Sequence, residues 1–435
     1  MTTLPTSHVD YMNEDIARMA AACTYCGECF KACPMVPYTD LAGADPERVT
    51  RDVIDLIQDK EVRGEGAAWA EACMMSGLCV DACPEPVNPR TMLAYARTRL
   101  RVKAGGIAGI KAESGEFFKR FSQTLKLVAG VQMEPERFRR LTAGRRGKKS
   151  QAEIVFYFGC NLLQTPHIIF TVLDVFEKLN VDYVVEGGAA NCCGVNHLRA
   201  GDEEGGGRMK ANSLSHFAAF DPDKVVTFCP SCQMQYAERP PLGNPTVMPF
   251  EHITRFLADR VDALKALYVR PVEKRVGLHE HTGLPGVNED VRKVLRSVPG
   301  LDLVEIPQLV QNGYQCPTLL LETAKEDMKE TLFREARAAG IDTLAATYHS
   351  CYRDLCGEEA NQPFAVCNFI SLVGEAMDIH HDAYFQRFRL LGDIQRVLDE
   401  SGPFLRSNGM DPESVRDALS NILYGAPPPA AASSS

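Results

Sequence analysis

The placement of five cysteines in the middle of the chain limits its possible folds more than any other feature. Cys160, the adjacent pair Cys192-Cys193, and Cys229-Pro230-Ser231-Cys232 are separated by 31, 0, 35 and 2 residues. Residues 152–158 read as a short apolar strand ending at Gly159-Cys160. Residues 182–185 read as a second strand leading through Gly187-Gly188 to Cys192-Cys193-Gly194, and residues 224–228 as a third ending at Cys229. Helical patterns over 168–179 and 210–220 lie between them. Alternating strands and helices predict a parallel sheet with helices on its faces. Every thiol then lies at the carboxyl end of a strand, where open α/β sheets place their ligands. Five thiols from three loops exceed the needs of a tetrahedral zinc and suffice for an iron–sulfur centre. Scattered buried cysteines acting as small hydrophobes are the competing reading; the adjacent pair and the Cys-x-x-Cys group speak against it.

The 16 cysteines of this 435-residue chain would suggest disulfides in a small secreted protein. This chain is long, its N-terminus lacks an apolar signal core, and no run of 18 apolar residues occurs. The thiols are therefore expected to bind metal in a reducing compartment, in the cytoplasm or peripherally at the inner membrane face. A net charge of −10 gives no general case for nucleic-acid binding.

Cys23-x2-Cys26-x2-Cys29-x3-Cys33-Pro34 is a complete bacterial ferredoxin run. Its short gaps wrap three thiolates around one cubane and send the fourth to a neighbouring cluster. A zinc site is the alternative, though zinc patterns seldom crowd four cysteines so closely. A second run follows at Cys73-x2-Ser76-x2-Cys79-x3-Cys83-Pro84, with Ser76 where the second cysteine belongs. With the usual crossing, Cys23, Cys26, Cys29 and Cys83 serve the first cluster and Cys33, Cys73 and Cys79 the second, with Ser76 beside its fourth iron. A hydroxyl is a harder, less acidic donor than a thiol, so a [3Fe–4S] cluster and a [4Fe–4S] cluster with an oxygen or open corner both fit. The spacer between the runs reads as two amphipathic helices, with Val49, Val53, Ile54 and Ile57 at helical spacing. Asn88-Pro89-Arg90 opens another helix through Leu100.

Gly105, Gly106 and Gly109 are expected to break that helix. An amphipathic piece follows around Phe117, Phe118, Phe121 and Leu125, then a basic run of Arg137, Arg139, Arg140, Arg145, Arg146, Lys148 and Lys149. The run reads as a solvated connector or as a docking patch for a partner or an anionic membrane.

The α/β pattern recurs after residue 270, with strands at 275–279, 303–306 and 343–346 and helices at 289–295 and 319–338. Aligning Cys193 with Cys316 and Cys232 with Cys351 gives offsets of 123 and 119, an internal repeat. Its ligands are eroded: Gln315 stands for Cys192, Tyr348 for Cys229, and Thr282 or His281 for Cys160. His279, His281 and His349 could join Cys316 and Cys351 around a second metal, or line a substrate or quinone pocket as proton donors. Cys356 and Cys367 fit no ligand spacing and read as structural. Helices are expected from about Leu372 to Tyr424, then a low-complexity tail.

Taken together these motifs resemble the iron–sulfur proteins that fuse a heterodisulfide-reductase C-type ferredoxin module to a B-type cysteine-rich (CCG) domain. The family includes the D-type polypeptide of heterodisulfide reductase and the iron–sulfur subunits of glycolate oxidase and anaerobic glycerol-3-phosphate dehydrogenase. The resemblance covers roughly residues 15–370. It implies an α-helical two-cluster ferredoxin module (1–103), a helical and basic linker (104–150), and α/β tandem CCG domains, parallel sheets flanked by helices. These are a cluster-binding repeat (151–270) and a degenerate one (271–371), followed by C-terminal helices (372–425) and the tail (426–435). It would give Cys160, Cys192, Cys193, Cys229 and Cys232 a non-cubane [4Fe–4S] cluster. The chain has neither a dinucleotide fingerprint nor a Walker A loop. The expected role is an iron–sulfur subunit of an oxidoreductase complex. Electrons would enter from a flavin-containing dehydrogenase or an electron-transfer flavoprotein and leave for a quinone or another acceptor. The alternatives are a thiol–disulfide or sulfur-transforming reductase subunit and a zinc-stapled scaffold without redox activity.

Overall fold

The computed structural model describes residues 7–60, 64–142, 152–238, 248–306 and 321–425. The N-terminal module is helical and internally duplicated. Helix α1 (His8–Ala22) stops at Cys23, and a loop through Cys26 leads into the short α2 (Glu28–Lys31). Helix α3 (Pro46–Ile57) starts on Asp45, whose side chain accepts from the Glu47 amide, with Pro46 at the first turn. Its apolar stripe of Val49, Val53, Ile54 and Ile57 is wholly buried, as its spacing predicts. Helix α4 (Glu65–Ala72) then repeats α1 by stopping at Cys73, and α5 (Leu78–Asp81) repeats α2.

The duplication extends to single backbone angles. Tyr25 and Met75 both have positive φ, 62° and 66°, followed by Gly27 at 76° and Gly77 at 85°. Non-glycine residues held at positive φ store strain and persist only where the surroundings impose it. Ser76 therefore occupies the same local conformation as Cys26.

Asn88 caps α6 (Pro89–Gly130) by accepting from the Thr91 amide. The expected break occurs at Gly106 alone (φ 65°, ψ 161°), beyond which the helix resumes to Gly130. Gly105 and Gly109 stay helical: glycine weakens a helix by only about 1 kcal/mol, which packing offsets. The expected linker is thus mostly helix, with α7 (Pro135–Thr142) following. Of the basic run, Arg137 stacks over Phe170 at 3.8 Å and Arg140 pairs with Glu177 at 3.2 Å. Residues 145–149 lie outside the described chain.

Two four-stranded parallel sheets follow, with matching strand orders β2-β1-β3-β4 and β6-β5-β7-β8. The first contains β1 (Ile154–Gly159), β2 (Tyr183–Gly187), β3 (Lys224–Thr227) and β4 (Phe250–His252). The second contains β5 (Arg275–His279), β6 (Asp302–Val304), β7 (Thr343–Ala346) and β8 (Ala365–Asn368). All pairings are parallel. Strands β4 and β8, of three and four residues, are additions to the strands read from the sequence. Each ends on a side chain, His252 or Asn368, that caps the next helix. The halves share one apolar core. Helix α8 (Pro166–Lys178) packs against helix Phe369–Ala376, and Phe228 stacks on Phe369 at 6.2 Å. Gly374 permits that approach, because a Cβ there would lie 2.8 Å from Cγ2 of Thr171.

Candidate functional site

Because β1 is completely buried, six apolar residues carry Cys160 to the sheet edge at its carboxyl end. Strand β2 delivers Cys192 and Cys193 through a turn at Gly188 (φ 78°). Strand β3 delivers Cys229 and, one turn into helix α11 (Pro230–Glu238), Cys232. The five thiols form one continuous group. Cys192 contacts Cys160 and Cys193, Cys193 contacts Cys232, and Cys232 contacts Cys229. All are buried and free of disulfides.

The cradle depends on close backbone approach at two turns. Gly159 has φ 80°, and a Cβ there would lie 3.1 Å from Sγ of Cys232 and 3.2 Å from Cβ of Cys229. Gly194, between the cysteine pair and the short α9 (Val195–Ala200), has φ 79°, and a Cβ would lie 2.2 Å from the Gly206 carbonyl oxygen. Thus Gly205-Gly206-Gly207, early in α10 (Glu203–Ala218), let that helix seat on the cysteine turn. Tyr157 closes the sheet side, its hydroxyl donating to the Asn191 carbonyl at 2.7 Å and lying 3.7 Å from Cys232 Sγ. Leu125 of α6 packs on Cys160 and Cys192. One helix therefore runs from behind Cys83 to the wall of the five-thiol group.

Electrostatics suit this group to a cationic core. Hydrogen bonding to Cys192 is the largest influence pushing Cys193 up, to about 12, and contact with Cys160 raises Cys192. Cys229 is lowered, chiefly because Cys232 donates to it. Thiols so buried resist ionisation until a metal's positive charge offsets the cost. Among the described residues, no three His, Cys, Asp or Glu side chains close on one point as they would around a single ion. A cluster several atoms across needs ligands that stand further apart.

The N-terminal thiols separate into two sets. Cys23, Cys26, Cys29 and Cys83 interact with one another, and burial is the main cause raising Cys29 to about 12. Cys33 faces Cys73, while Cys79 faces both, with the cationic Arg90 nearby. Cys83 of the later run thus lies with the earlier thiols, and Cys33 of the earlier run with the later ones. Ser76 is buried beside the second set.

The second sheet is a register-matched copy of the first. Thr227 pairs with Tyr157 and His252, while Ala346 pairs with His279 and Asn368. Counting forward from Tyr157 and His279 puts Thr282 at the place of Cys160; counting from Thr227 and Ala346 puts Tyr348 at the place of Cys229. Thr282 instead binds the ferredoxin module, its hydroxyl donating to the Ser76 carbonyl at 2.9 Å. Arg90 reinforces the junction: buried, it donates to the Gly283 carbonyl at 2.8 Å and pairs with Glu238 on α11. Neither contact has a sequence signature, because the partners are about 150 to 200 residues apart.

His281 Nδ1 accepts from the Gly283 amide at 2.9 Å, and its ring meets Tyr348 edge-on at 4.3 Å. His349 is buried, which is the main cause lowering its pKa to about 3. His279 and Cys351 are buried as well, and Cys316 lies outside the described residues. Cys356 and Cys367 are packed away from the five-thiol group, against the shared core.

Residues 19–87 match the 4Fe-4S dicluster domain and residues 154–236 the cysteine-rich CCG domain. The chain is 25% identical over 399 residues to the D-type polypeptide of the dihydromethanophenazine:CoB–CoM heterodisulfide reductase of Methanosarcina barkeri, covering 82% of this chain and 94% of that protein. The corresponding polypeptide of Methanosarcina acetivorans is also 25% identical, over 400 residues with the same coverage. The B-type polypeptide of the fumarate reductase (CoM/CoB) of Methanothermobacter marburgensis is 24% identical over 291 residues, 65% of this chain and 56% of that protein. These relatives are named as subunits of reductases. Among the described residues no helix is long and apolar enough to cross a membrane. The chain is an iron–sulfur protein homologous to the D-type polypeptide of heterodisulfide reductase, joining a 4Fe-4S dicluster domain to a cysteine-rich CCG domain.

Proposed function

We propose that this chain is the electron-transfer subunit of an oxidoreductase complex, passing electrons between a flavin-containing dehydrogenase or electron-transfer flavoprotein and a quinone or other acceptor. The supporting observation is the convergence of five thiols beside a module holding two further thiol sets, with α6 running between them. Iron–sulfur clusters supply one-electron redox chemistry when bound. In this reading Cys23, Cys26, Cys29 and Cys83 hold a [4Fe–4S] cluster. Cys33, Cys73 and Cys79, with Ser76 at the fourth corner, hold a [3Fe–4S] cluster or an altered [4Fe–4S] one. Cys160, Cys192, Cys193, Cys229 and Cys232 hold a non-cubane [4Fe–4S] cluster.

The chain's own residues set the conditions. Burial behind Leu125, Tyr157 and α10 excludes water and protects reactive sulfur. Arg90 and Thr282 fix the second thiol set against the CCG half, which keeps the separation between sets constant. The Tyr348 and Thr282 substitutions remove two ligand positions from the second repeat, so the reading gives it a docking role.

Cys193→Ala tests the assignment. It should abolish the CCG signal in EPR spectra of anaerobically prepared protein and leave the ferredoxin-type signals intact. Spectra identical to wild type would overturn it. Assays of reduced protein with quinone analogues and with disulfides separate electron transfer from the sulfur-reductase alternative. Turnover of a disulfide by the isolated chain would favour the latter.

A further inference from the structure

The eroded repeat sends one positive charge into the intact one. Helix His349–Leu355 of the second repeat packs on the turn Asn161–Gln164, which directly follows Cys160. From that helix Arg353 Nη1 donates to Asn161 Oδ1 at 2.8 Å, between residues 192 apart in the chain. Gln164 Nε2 donates to the same oxygen, so two donors hold the amide next to Cys160. The carbonyl of Arg353 in turn accepts from Arg389 Nη1 at 2.9 Å and from the Cys356 thiol at 3.7 Å. Those contacts fix the backbone that carries the charge.

Arg353 is half-buried, and among the described residues no carboxylate forms an ion pair with it. Its neighbour Asp354 is engaged by Lys325 at 3.5 Å. Burial is the main influence lowering the Arg353 pKa; Asp354 and Cys356 raise it, Arg389 lowers it, and the Cys160 thiol raises it. A guanidinium stays protonated in such surroundings, so a full positive charge stands beside the Cys160 turn. The repeat gives this position a counterpart. Cys351 stands for Cys232, which puts Arg353 at the place of the buried Met234. An apolar position in the intact half is a cation in the eroded half.

We propose that Arg353 is a positioning residue for the five-thiol centre, holding the Cys160 turn through Asn161 and raising the reduction potential of the cluster bound there. The inference rests on the iron–sulfur reading above. A cluster gains one negative charge when it takes up an electron, and a nearby cation favours that state. Cluster potentials respond to local charge, hydrogen bonding and solvent exposure. The second repeat, short of ligands of its own, then keeps an electrostatic part in the chemistry of the first.

Redox titration of the anaerobically purified full chain, followed by the CCG signal in EPR, tests this with three variants. Arg353→Gln and Arg353→Met both discard the charge, the first keeping a donor for Asn161. Arg353→Lys keeps the charge and loses the planar fork. At a fixed potential the reduced-to-oxidised ratio of the CCG cluster should fall about tenfold in the Gln and Met variants, a drop of 59 mV for one electron. Arg353→Lys should stay within about threefold of wild type, and the ferredoxin-type signals should titrate unchanged in all three. A wild-type ratio in Arg353→Gln, or a ratio in Arg353→Lys as low as in the other two, overturns the proposal. Loss of the CCG signal from all three variants would make Arg353 a structural strut and overturns it as well. Wild-type protein without a CCG signal or labile sulfide fails the cluster reading instead, before any variant is made.

Discussion

Gly159→Ala perturbs the five-thiol cradle in a way whose size follows from the structure. Two costs arise. The residue has φ 80°, so any Cβ brings about 1 kcal/mol of left-handed backbone strain. That Cβ would also stand 3.1 Å from Cys232 Sγ and 3.2 Å from Cys229 Cβ. Neither neighbour can yield easily, since both belong to the buried thiol group, and such overpacking costs about 1–3 kcal/mol. Gly340→Ala is the control. It has φ 61° with nothing within 4 Å of its would-be Cβ, so it carries the strain alone. The metal-free Gly159→Ala chain should lose about 2–4 kcal/mol in urea unfolding, against about 1 kcal/mol for Gly340→Ala. The anaerobically purified Gly159→Ala protein should also lose the iron of the CCG site, while Gly340→Ala keeps a full complement. Equal stability loss and equal iron in the two variants would refute the reasoning that Gly159 exists to let two thiols close over the β1 turn.

Ser76→Cys should convert the second ferredoxin-type EPR signal towards that of an ordinary four-iron cluster; an unchanged signal would place Ser76 away from the iron. Thr282→Val removes the hydrogen bond to the Ser76 carbonyl and should cost about 1 kcal/mol in unfolding free energy, with a loss near zero arguing against the docking role. His167 is buried with its pKa lowered to about 3, mainly by that burial. Between pH 6.5 and 3 the unfolded chain binds a proton there that the folded chain refuses. Acidification through this window should therefore destabilise the protein, with His167 contributing up to about 1.4 kcal/mol per pH unit. A pH–stability profile of His167→Leu should be shallower by that amount, and an identical slope would contradict the assignment.

The cysteine spacings made both ends of the site legible from the chain alone, because ligand geometry writes itself into short gaps and strand-end positions. The tandem repeat was legible for the same reason: strands β1, β3, β5 and β7 are apolar runs whose spacing survives after the ligands have changed. The choice between His281 and Thr282 as the counterpart of Cys160 needed the register of β5 against β7, a pairing across 67 residues that no local pattern encodes. Arg90 read only as a helix-opening residue, because its partners Gly283 and Glu238 come from later elements. Gly205-Gly206-Gly207 carry no local sequence signal of a role. Their meaning lies in the 2.2 Å clearance between a would-be Cβ on Gly194 and the Gly206 carbonyl. Helix α6 outlasted its glycines because Leu125, Val128 and Ala129 are buried against the CCG half, tertiary packing that propensity cannot anticipate.

Quantifying iron, acid-labile sulfide and zinc in the anaerobically purified full chain tests the central claim most directly. Three cluster sites, one of them altered at Ser76, predict about eleven to twelve iron atoms per chain with matching sulfide and no stoichiometric zinc. Zinc in place of iron, with no labile sulfide, would contradict the account.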